Sequence, residues 1–155
     1  MITDDMKNLV EGTMLCFAAT INEDGSPNLS PKSSLRVHDD THLLFANMAS
    51  PGTADNLRRD PRIELNCVDI FSRRGYRFSG RAQLFSDGDP LYGALRRDVA
   101  AEHRDSLPVY HAVLIEVLHA SPVISPAYTF VEGVTEELLR NAYHGKYGVQ
   151  PLTAS

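Results

Sequence analysis

Four consecutive residues within an otherwise apolar segment could do chemistry. Pro31, Lys32, Ser33 and Ser34 place a cation and two hydroxyls where an alternating strand would hold valine or leucine. A polar cluster inside a strand is typical of a binding site, because it breaks a folding rule that a purely structural strand keeps. Pro31 has no N–H to donate, so it also predicts an edge strand or a bulge. The alternative is a solvent-facing edge strand with no ligand.

A second cluster, Ser50-Pro51-Gly52-Thr53, predicts the start of a helix. Ser50 suits the N-cap position and Pro51 the first helical position. The free N–H groups and positive dipole end of a helix attract anions, and Gly52 lets a ligand approach the backbone closely. With the hydroxyls of Ser50 and Thr53 as further donors, we interpret this segment as a phosphate cradle. An ordinary N-cap is the alternative.

Arginine is concentrated just after this helix start. Residues 58 to 81 include seven arginines and three carboxylates, which gives this segment a charge of +4 in a chain whose net charge is −5. Arginine forms bidentate contacts with phosphate and carboxylate groups. We interpret the segment as favouring a small anion over nucleic acid, because the acidic remainder of the chain repels a phosphate polymer. A solvated basic face paired with nearby carboxylates is the alternative.

Histidine and cysteine predict no metal site. The sequence has no HxH, no HExxH and no Cys/His cluster, and His111 and His119 would share a strand face about 26 Å apart. Cys16 and Cys67 lie in apolar segments and form no CxxC pair. We therefore expect them to be buried, reduced thiols. No residue stands out as acid, base or nucleophile, so the catalytic residues stay unknown.

Short strands must position these residues. The sequence predicts a hairpin of strands over 14–21 and 27–37 around an Asp-Gly turn, with further strands over 43–47, 63–70, 76–85 and 109–117. It predicts helices over 3–11, 50–60, 91–103 and 134–147, and a Pro/Ser-rich connection over 121–126. Gly80 predicts a bulge or a close approach. Strands that follow one another as hairpins favour an α+β, mainly β fold: a six-stranded antiparallel, partly closed barrel with flanking helices.

Length and composition bound the remaining possibilities. A chain of 155 residues, 43% apolar and 23% charged, describes one globular domain that needs no disulfide or structural metal. We expect a single domain over 1–155, with the core barrel at about 13–120 and a C-terminal helical segment at about 132–148. The sequence shows neither a membrane span nor a secretory signal, so we expect a cytoplasmic protein.

The polar strand and the helix start together resemble the pyridoxamine 5′-phosphate oxidase-like family of FMN-binding split β-barrels. Four runs carry the resemblance in order: ATINEDGSP at 19–27, PKSS at 31–34, LFAN through SPGTADNL to DPR at 44–62, and YRFSGRA at 76–82. Each run is short, but their order and spacing together are fairly specific. They cover a little under half of the chain closely.

The resemblance implies FMN bound at the interface of a homodimer of Greek-key split barrels. It implies ring contacts from the polar strand and the end of its neighbour, phosphate contacts from the helix start, arginine charge partners, and an aromatic cover from the other subunit. In that order, the implied cofactor-binding residues are Lys32, Ser33, Ser34, Ala46 and Asn47; Ser50, Thr53 and Asn56; Arg77 and Arg81; and Tyr128.

The resemblance also implies a flavin-dependent oxidoreductase that acts on an unidentified small molecule. The alternative is a protein that binds, stores or senses flavin without catalysis, or that holds haem or a deazaflavin in the same cleft. The vitamin B6 oxidases of this family end in a segment that bears tryptophan and arginine, whereas this chain has no tryptophan. We therefore do not expect oxidation of pyridoxamine phosphate itself.

Overall fold

Strands and helices follow one another in an order close to the predicted one. The computed structural model describes residues 1–103 and 107–150. The strands are β1 Cys16–Ile21, β2 Pro27–Lys32, β3 Arg36–Val37, β4 His42–Asn47, β5 Arg62–Asp69, β6 Arg74–Phe85 and β7 His111–Ile124. The helices are α1 Asp4–Gly12, α2 Pro51–Arg59, α3 Pro90–His103, α4 Ala127–Phe130 and α5 Glu136–Tyr147.

All seven described strands belong to one antiparallel sheet, in the order β2-β1-β5-β6-β7-β4-β3. Its two edge strands, β2 and β3, are separated in the chain only by residues 33–35. So short a link draws the two edges together, and the sheet therefore curls into a half-closed barrel. The predicted α+β split barrel with flanking helices is confirmed.

The strand count differs from the predicted six because the strand expected over 27–37 is broken in two. Ser34, between β2 and β3, turns its hydroxyl onto the backbone of Ala46 in β4. Its Oγ accepts from the Ala46 N–H at 3.0 Å and donates to the Ala46 carbonyl at 3.3 Å. This side chain takes the place of a ladder contact at the point where the chain crosses from one sheet edge to the other.

Two apolar clusters hold the fold together. The larger one fills the barrel and includes Phe45, Leu65 and Phe78, each at most 1% exposed. The smaller one lies under α3, where Tyr92 and Leu95 pack against strand residues of β4 and β7. Burial of full-sized apolar side chains contributes about 1.5–3 kcal/mol each, which makes the barrel interior the main source of stability.

Glycine shapes the long antiparallel pair of β6 and β7. A Cβ added at Gly80 would lie 2.2 Å from the Glu116 carbonyl oxygen, so β7 passes too close for any side chain there. The register shifts between Ser79 and Gly80, which confirms the predicted bulge. Leu118 is the extra residue in β7. Because it reverses the alternation of β7, the expectation that His111 and His119 share one face is wrong.

The C-terminal part departs from prediction at one further point. The segment 121–126 was expected to be a connection, but residues up to Ile124 continue β7, with Pro122 opposite Tyr76 of β6. The helical region comprises α4 and α5, and Thr135 caps α5 by accepting from the Leu138 N–H at 3.2 Å. Residues 151–155 of the predicted domain lie outside the described ranges.

Candidate functional site

Strand β2 turns every second side chain toward helix α2. Asn28, Ser30 and Lys32 lie on this face, where each hydrogen-bonds a side chain of α2 or of Ser50, the residue before it. Pro27, Leu29 and Pro31 occupy the opposite, exposed face. β2 is an edge strand, as Pro31 predicts. The polar cluster of the sequence therefore lies on the inner side of an edge strand, against a helix.

Lys32 is the central charge of this cluster. Its side chain is 5% exposed, and its Nζ donates to Ser30 Oγ at 2.6 Å and to Ser50 Oγ at 2.8 Å. The ammonium also lies 5.3 Å from the centre of the Phe45 ring. Burial lowers the pKa of Lys32 to about 8. No carboxylate of the described residues forms an ion pair with it.

The start of α2 faces the same cluster. Ser50 occupies the N-cap position, but its side chain caps no N–H of the helix. Its hydroxyl instead contacts Lys32 and lies 3.0 Å from Ser30 Oγ. Pro51 falls in the first turn, as predicted. A helix start whose N–H groups lack a side-chain cap retains donors for an anion.

Thr53 and Asn56 are buried and bind α2 to the β1–β2 hairpin. Asn28 donates to Thr53 Oγ1 at 3.3 Å, and Asn56 Nδ2 donates to Thr20 Oγ1 at 3.0 Å and to Asn22 Oδ1 at 2.9 Å. Arg59 donates to Asn56 Oδ1. The Asn56 carboxamide is therefore satisfied within the chain, and its contact with phosphate stays a prediction.

The remaining ring-binding candidates lie around the end of β4. Ser34 is buried and contacts the backbone of Ala46. Ser33 is exposed beside it. Asn47 is 2% exposed, and the end of its carboxamide assigned as Oδ1 has no hydrogen-bond partner among the described residues. A buried amide group without a partner is costly, so it points to a ligand or an ordered water.

Arg77, Arg81 and Tyr128 are not brought to Lys32 within one chain. Arg77 and Arg81 are exposed on β6, on the outer face of the sheet. Arg77 lies 3.8 Å from the Glu64 carboxylate. Tyr128 in α4 donates its hydroxyl to the Ser72 carbonyl at 2.6 Å. Their contacts with a cofactor stay predictions.

The arginine-rich segment does not converge on one point. Most of its members contact a side chain of their own surroundings: Arg58 contacts Asp55, Arg59 Asn56, Arg62 Asp60, Arg73 the Tyr143 ring, Arg74 Asp5 and Glu136, and Arg77 Glu64. Successive strand residues point to opposite faces, so arginines that are close in sequence are separated in space. The alternative of a solvated, paired face describes most of them.

Two polar side chains and one imidazole of this region are absent from the sequence prediction. Asn28 and Ser30 precede Lys32 at intervals of two, a spacing that places all three on one strand face and could have revealed them. His111 stands opposite Asn47 in the β4–β7 pair, and its ring Nε2 lies 2.8 Å from Arg58 Nη2. No local pattern predicts the contact between His111 and Asn47, because strand pairing joins these residues across 64 positions of the chain.

The residues present fit a flavin mononucleotide. A buried ammonium without an anionic partner suits a phosphate or an electron-rich ring edge, since a buried charge requires pairing. The hydroxyl of Ser50 and the uncapped start of α2 offer donors for phosphate, and the contact of Asn47 with the ring stays a prediction. Within residues 1–103 and 107–150, no group of three metal-ligating side chains occurs.

The curled sheet with a polar cluster between edge strand and helix defines the split-barrel class. Residues 2–138 match the sequence model of the family described as Pyridoxamine 5′-phosphate oxidase. The chain therefore belongs to the pyridoxamine 5′-phosphate oxidase family, and the resemblance seen in the sequence is confirmed. No helix in the described ranges is long and apolar enough to cross a membrane.

Individual proteins resemble this chain in sequence or in fold. HupZ of Group A Streptococcus is 30% identical, with a TM-score of 0.71 over 81% of this chain and 96% of that chain. An FMN-binding protein of Syntrophomonas wolfei shares the fold at 12% identity, with a TM-score of 0.71 over 80% and 87% of the two chains. An uncharacterised Methanocaldococcus jannaschii protein is 26% identical over 121 residues, 75% of this chain and 76% of its own.

Proposed function

We propose that this protein binds FMN and uses it as a flavin-dependent oxidoreductase on a small organic molecule. One observation carries the proposal: Lys32 is buried between two serine hydroxyls and beside a helix start, with no anionic partner among the described residues. Such a site is costly to maintain without an anion. Membership of the family and the fold shared with an FMN-binding protein support FMN as that anion.

The protein's own residues bind and orient the cofactor. Lys32, protonated at neutral pH, supplies positive charge, Ser30 and Ser50 hold its ammonium in place, and the start of α2 offers N–H donors. When bound, the flavin supplies the hydride and electron transfer chemistry. A fixed cation beside a flavin favours its negatively charged, reduced form. The same contacts allow binding without catalysis, which is the second candidate function.

We propose that the functional unit is a homodimer with the flavin site at its interface. The outer face of β1 and β2 is apolar and exposed: Phe17 is 41% and Leu29 66% exposed. Arg77 and Arg81 lie on the same outer side of the sheet, which suits a role at the site of a second subunit. The two free, buried cysteines support a reducing, cytoplasmic setting.

FMN titration of the protein freed of cofactor tests the binding proposal. We expect flavin fluorescence to be quenched at one FMN per chain, and Lys32→Met to weaken this binding, whereas Lys146→Met, at an exposed lysine, leaves it unchanged. Equal FMN affinity of Lys32→Met and wild type would contradict the proposed site. Parallel titrations with haem and with a deazaflavin identify the cofactor that binds most tightly.

Anaerobic mixing of the FMN-loaded protein with NADH or NADPH separates the two functions. An oxidoreductase of this kind is expected to lose flavin absorbance within seconds. The absorbance should return when the reduced protein is mixed with an electron acceptor. Tight FMN binding with no reduction by either nucleotide supports the storage or sensing function instead.

Sedimentation of wild type and Leu29→Asp tests the dimer, which the charged variant should dissociate.

A further inference from the structure

A cavity of about 500 Å³ lies beside Ser50, between α2 and the start of β7. Its walls include Ser50, Ala54 and Arg58 from the α2 side, and Asn47, Tyr110 and His111 from the strand side. Ser50 also contacts Lys32, so the cavity adjoins the proposed flavin site. None of the flavin contacts implied by the sequence explains why this space carries an imidazole and a guanidinium.

A chain of four polar side chains runs along the wall. Asp55 Oδ1 accepts from Arg58 Nη1 at 2.6 Å, and Arg58 Nη2 lies 2.8 Å from His111 Nε2. His111 Nδ1 lies 3.4 Å from the amide end of Asn47 assigned as Nδ2. Asn47 and His111 are direct partners in the β4–β7 ladder, so their side chains share one face.

Hydrogen-bond chemistry fixes the proton of His111. A guanidinium only donates, so His111 Nε2 must accept the hydrogen from Arg58. A neutral imidazole carries one N–H, which is then on Nδ1. Desolvation, followed by the positive charge of Arg58, lowers the pKa of His111 and keeps the ring neutral. The Nδ1–H therefore faces Asn47 as a donor.

The orientation of the Asn47 carboxamide follows from this tautomer. A donor at His111 Nδ1 requires an acceptor, which is the amide oxygen of Asn47, and amide oxygen and nitrogen are distinguished only by such a network. The NH₂ group then occupies the buried end that has no partner among the described residues. The unmet need at this position is therefore for a hydrogen-bond acceptor.

We propose that this cavity binds a small uncharged carbonyl compound, whose oxygen accepts a hydrogen bond from the Asn47 NH₂ group that His111 and Arg58 hold in place. Asp55 offsets the charge of Arg58 and His111 is neutral, so this wall offers donors without a net charge. A neutral amide or ketone meets these conditions better than a phosphate does. The inference rests on the proposed function only in placing this compound beside a flavin, as its substrate.

The first test is the tautomer of His111, read from imidazole ¹⁵N chemical shifts of the FMN-loaded and the FMN-free protein near pH 7.5. We expect the proton on Nδ1 in both. A proton on Nε2 would overturn the inference, because Asn47 would then present its oxygen to the cavity. This measurement needs no ligand, so its outcome is independent of FMN binding.

The second test uses benzamide as the carbonyl probe and ethylbenzene as a probe of similar size without an acceptor. We expect benzamide to shift the Asn47 side-chain NH₂ resonance in protein with and without FMN, and ethylbenzene to leave it unchanged. Asn47→Asp, which replaces the NH₂ by oxygen, should weaken benzamide about tenfold, while Asn66→Asp at an exposed position should not.

Three results of the second test would overturn the inference: equal shifts with both probes, unchanged benzamide affinity in Asn47→Asp, or exclusion of benzamide by FMN. The last would mean that Asn47 meets a flavin carbonyl and that the cavity is no separate subsite. Binding of benzamide by a protein that takes up no FMN would instead remove the flavin proposal and leave the cavity assignment in place.

Discussion

Lys32 Nζ lies 2.8 Å from Ser50 Oγ, and this contact joins the last residue of edge strand β2 to the residue that precedes helix α2. Both residues stand out in the sequence for separate reasons, one as a cation within a strand and the other as an N-cap. In the structure they form one site. Ser50 uses its hydroxyl on the ammonium and not on the helix, so the geometry favours a ligand over an isolated helix cap.

Replacement of the central lysine should separate stability from binding. Without FMN, Lys32→Met removes a buried, unpaired charge and keeps the aliphatic stem, so we expect the free energy of unfolding to rise by about 1–3 kcal/mol. FMN affinity should fall at least about tenfold. Urea unfolding and flavin fluorescence measure the two effects. Loss of stability in FMN-free Lys32→Met would show that the ammonium is already satisfied by the serines.

The pKa of Lys32 predicts how FMN affinity depends on pH. Burial lowers this pKa from 10.5 to about 8 in the free protein, and a bound anion raises it again. Between pH 7 and 8, where the FMN phosphate is already a dianion, affinity should therefore be nearly constant. Above pH 8 it should fall by up to about tenfold per pH unit, until the pKa of the complex is passed. Titrations between pH 7 and 9.5 measure this fall, and Lys32→Met should abolish it.

The same pKa shift has the opposite sign for the stability of the free protein. The unfolded chain keeps its proton up to pH 10.5, so between pH 8 and that value it binds more protons than the folded chain. The contribution of Lys32 to the free energy of unfolding therefore rises with pH between pH 8 and 10.5. We expect the difference in unfolding free energy between wild type and Lys32→Met to narrow as pH rises from 8 to 10.

Two glycines should respond in opposite ways to alanine. Gly80→Ala places a Cβ 2.2 Å from the Glu116 carbonyl oxygen, so the paired strands β6 and β7 must shift and we expect a loss of at least about 2 kcal/mol. At Gly52, in the first turn of α2, no atom outside the helix lies within 4 Å of an added Cβ. Gly52→Ala should stabilise by about 0.5–1 kcal/mol. Thermal unfolding compares the two, and a harmless Gly80→Ala would contradict the close approach.

Asn56 should be a structural residue more than a ligand contact. Asn56→Ala removes the hydrogen bonds that Thr20 Oγ1 and Asn22 Oδ1 accept from the Asn56 carboxamide, so we expect a loss of about 1–3 kcal/mol. Asn66→Ala at an exposed position should change stability by less than about 0.5 kcal/mol. If FMN affinity, measured where both variants are fully folded, falls as much in Asn56→Ala as in Lys32→Met, then Asn56 also contacts the cofactor.

Local signals in the sequence predicted the elements that they control. The Asp-Gly turn gave the β1–β2 hairpin, where Gly25 has a φ of +83° and the Asn22 N–H donates to Ser26. Ser50 and Pro51 located the start of α2, and Pro61 its end. Each of these depends on a few neighbouring residues, whose backbone preferences act without help from the rest of the fold.

Features that depend on pairing between distant parts of the chain could not be predicted from local signals. The break at Ser34 arises from its contact with Ala46, and the extension of β7 to Ile124 arises from pairing with β6. The same limit applies to the site. Lys32 and Ser50 could be identified because their residue types are unusual at those sequence positions. The partners of Arg58 and His111 depend instead on how β4, β7 and α2 pack together.

The two prolines of β2 also determine how copies of this protein can associate. The β1–β2 register runs unbroken through Pro27 and Pro31, so the N–H groups that proline lacks are missing from the open edge of the strand. An incoming strand would find too few donors there to extend the sheet. The edge of β2 therefore disfavours uncontrolled strand-to-strand assembly, and a second copy would have to pack against the flat side of the strands.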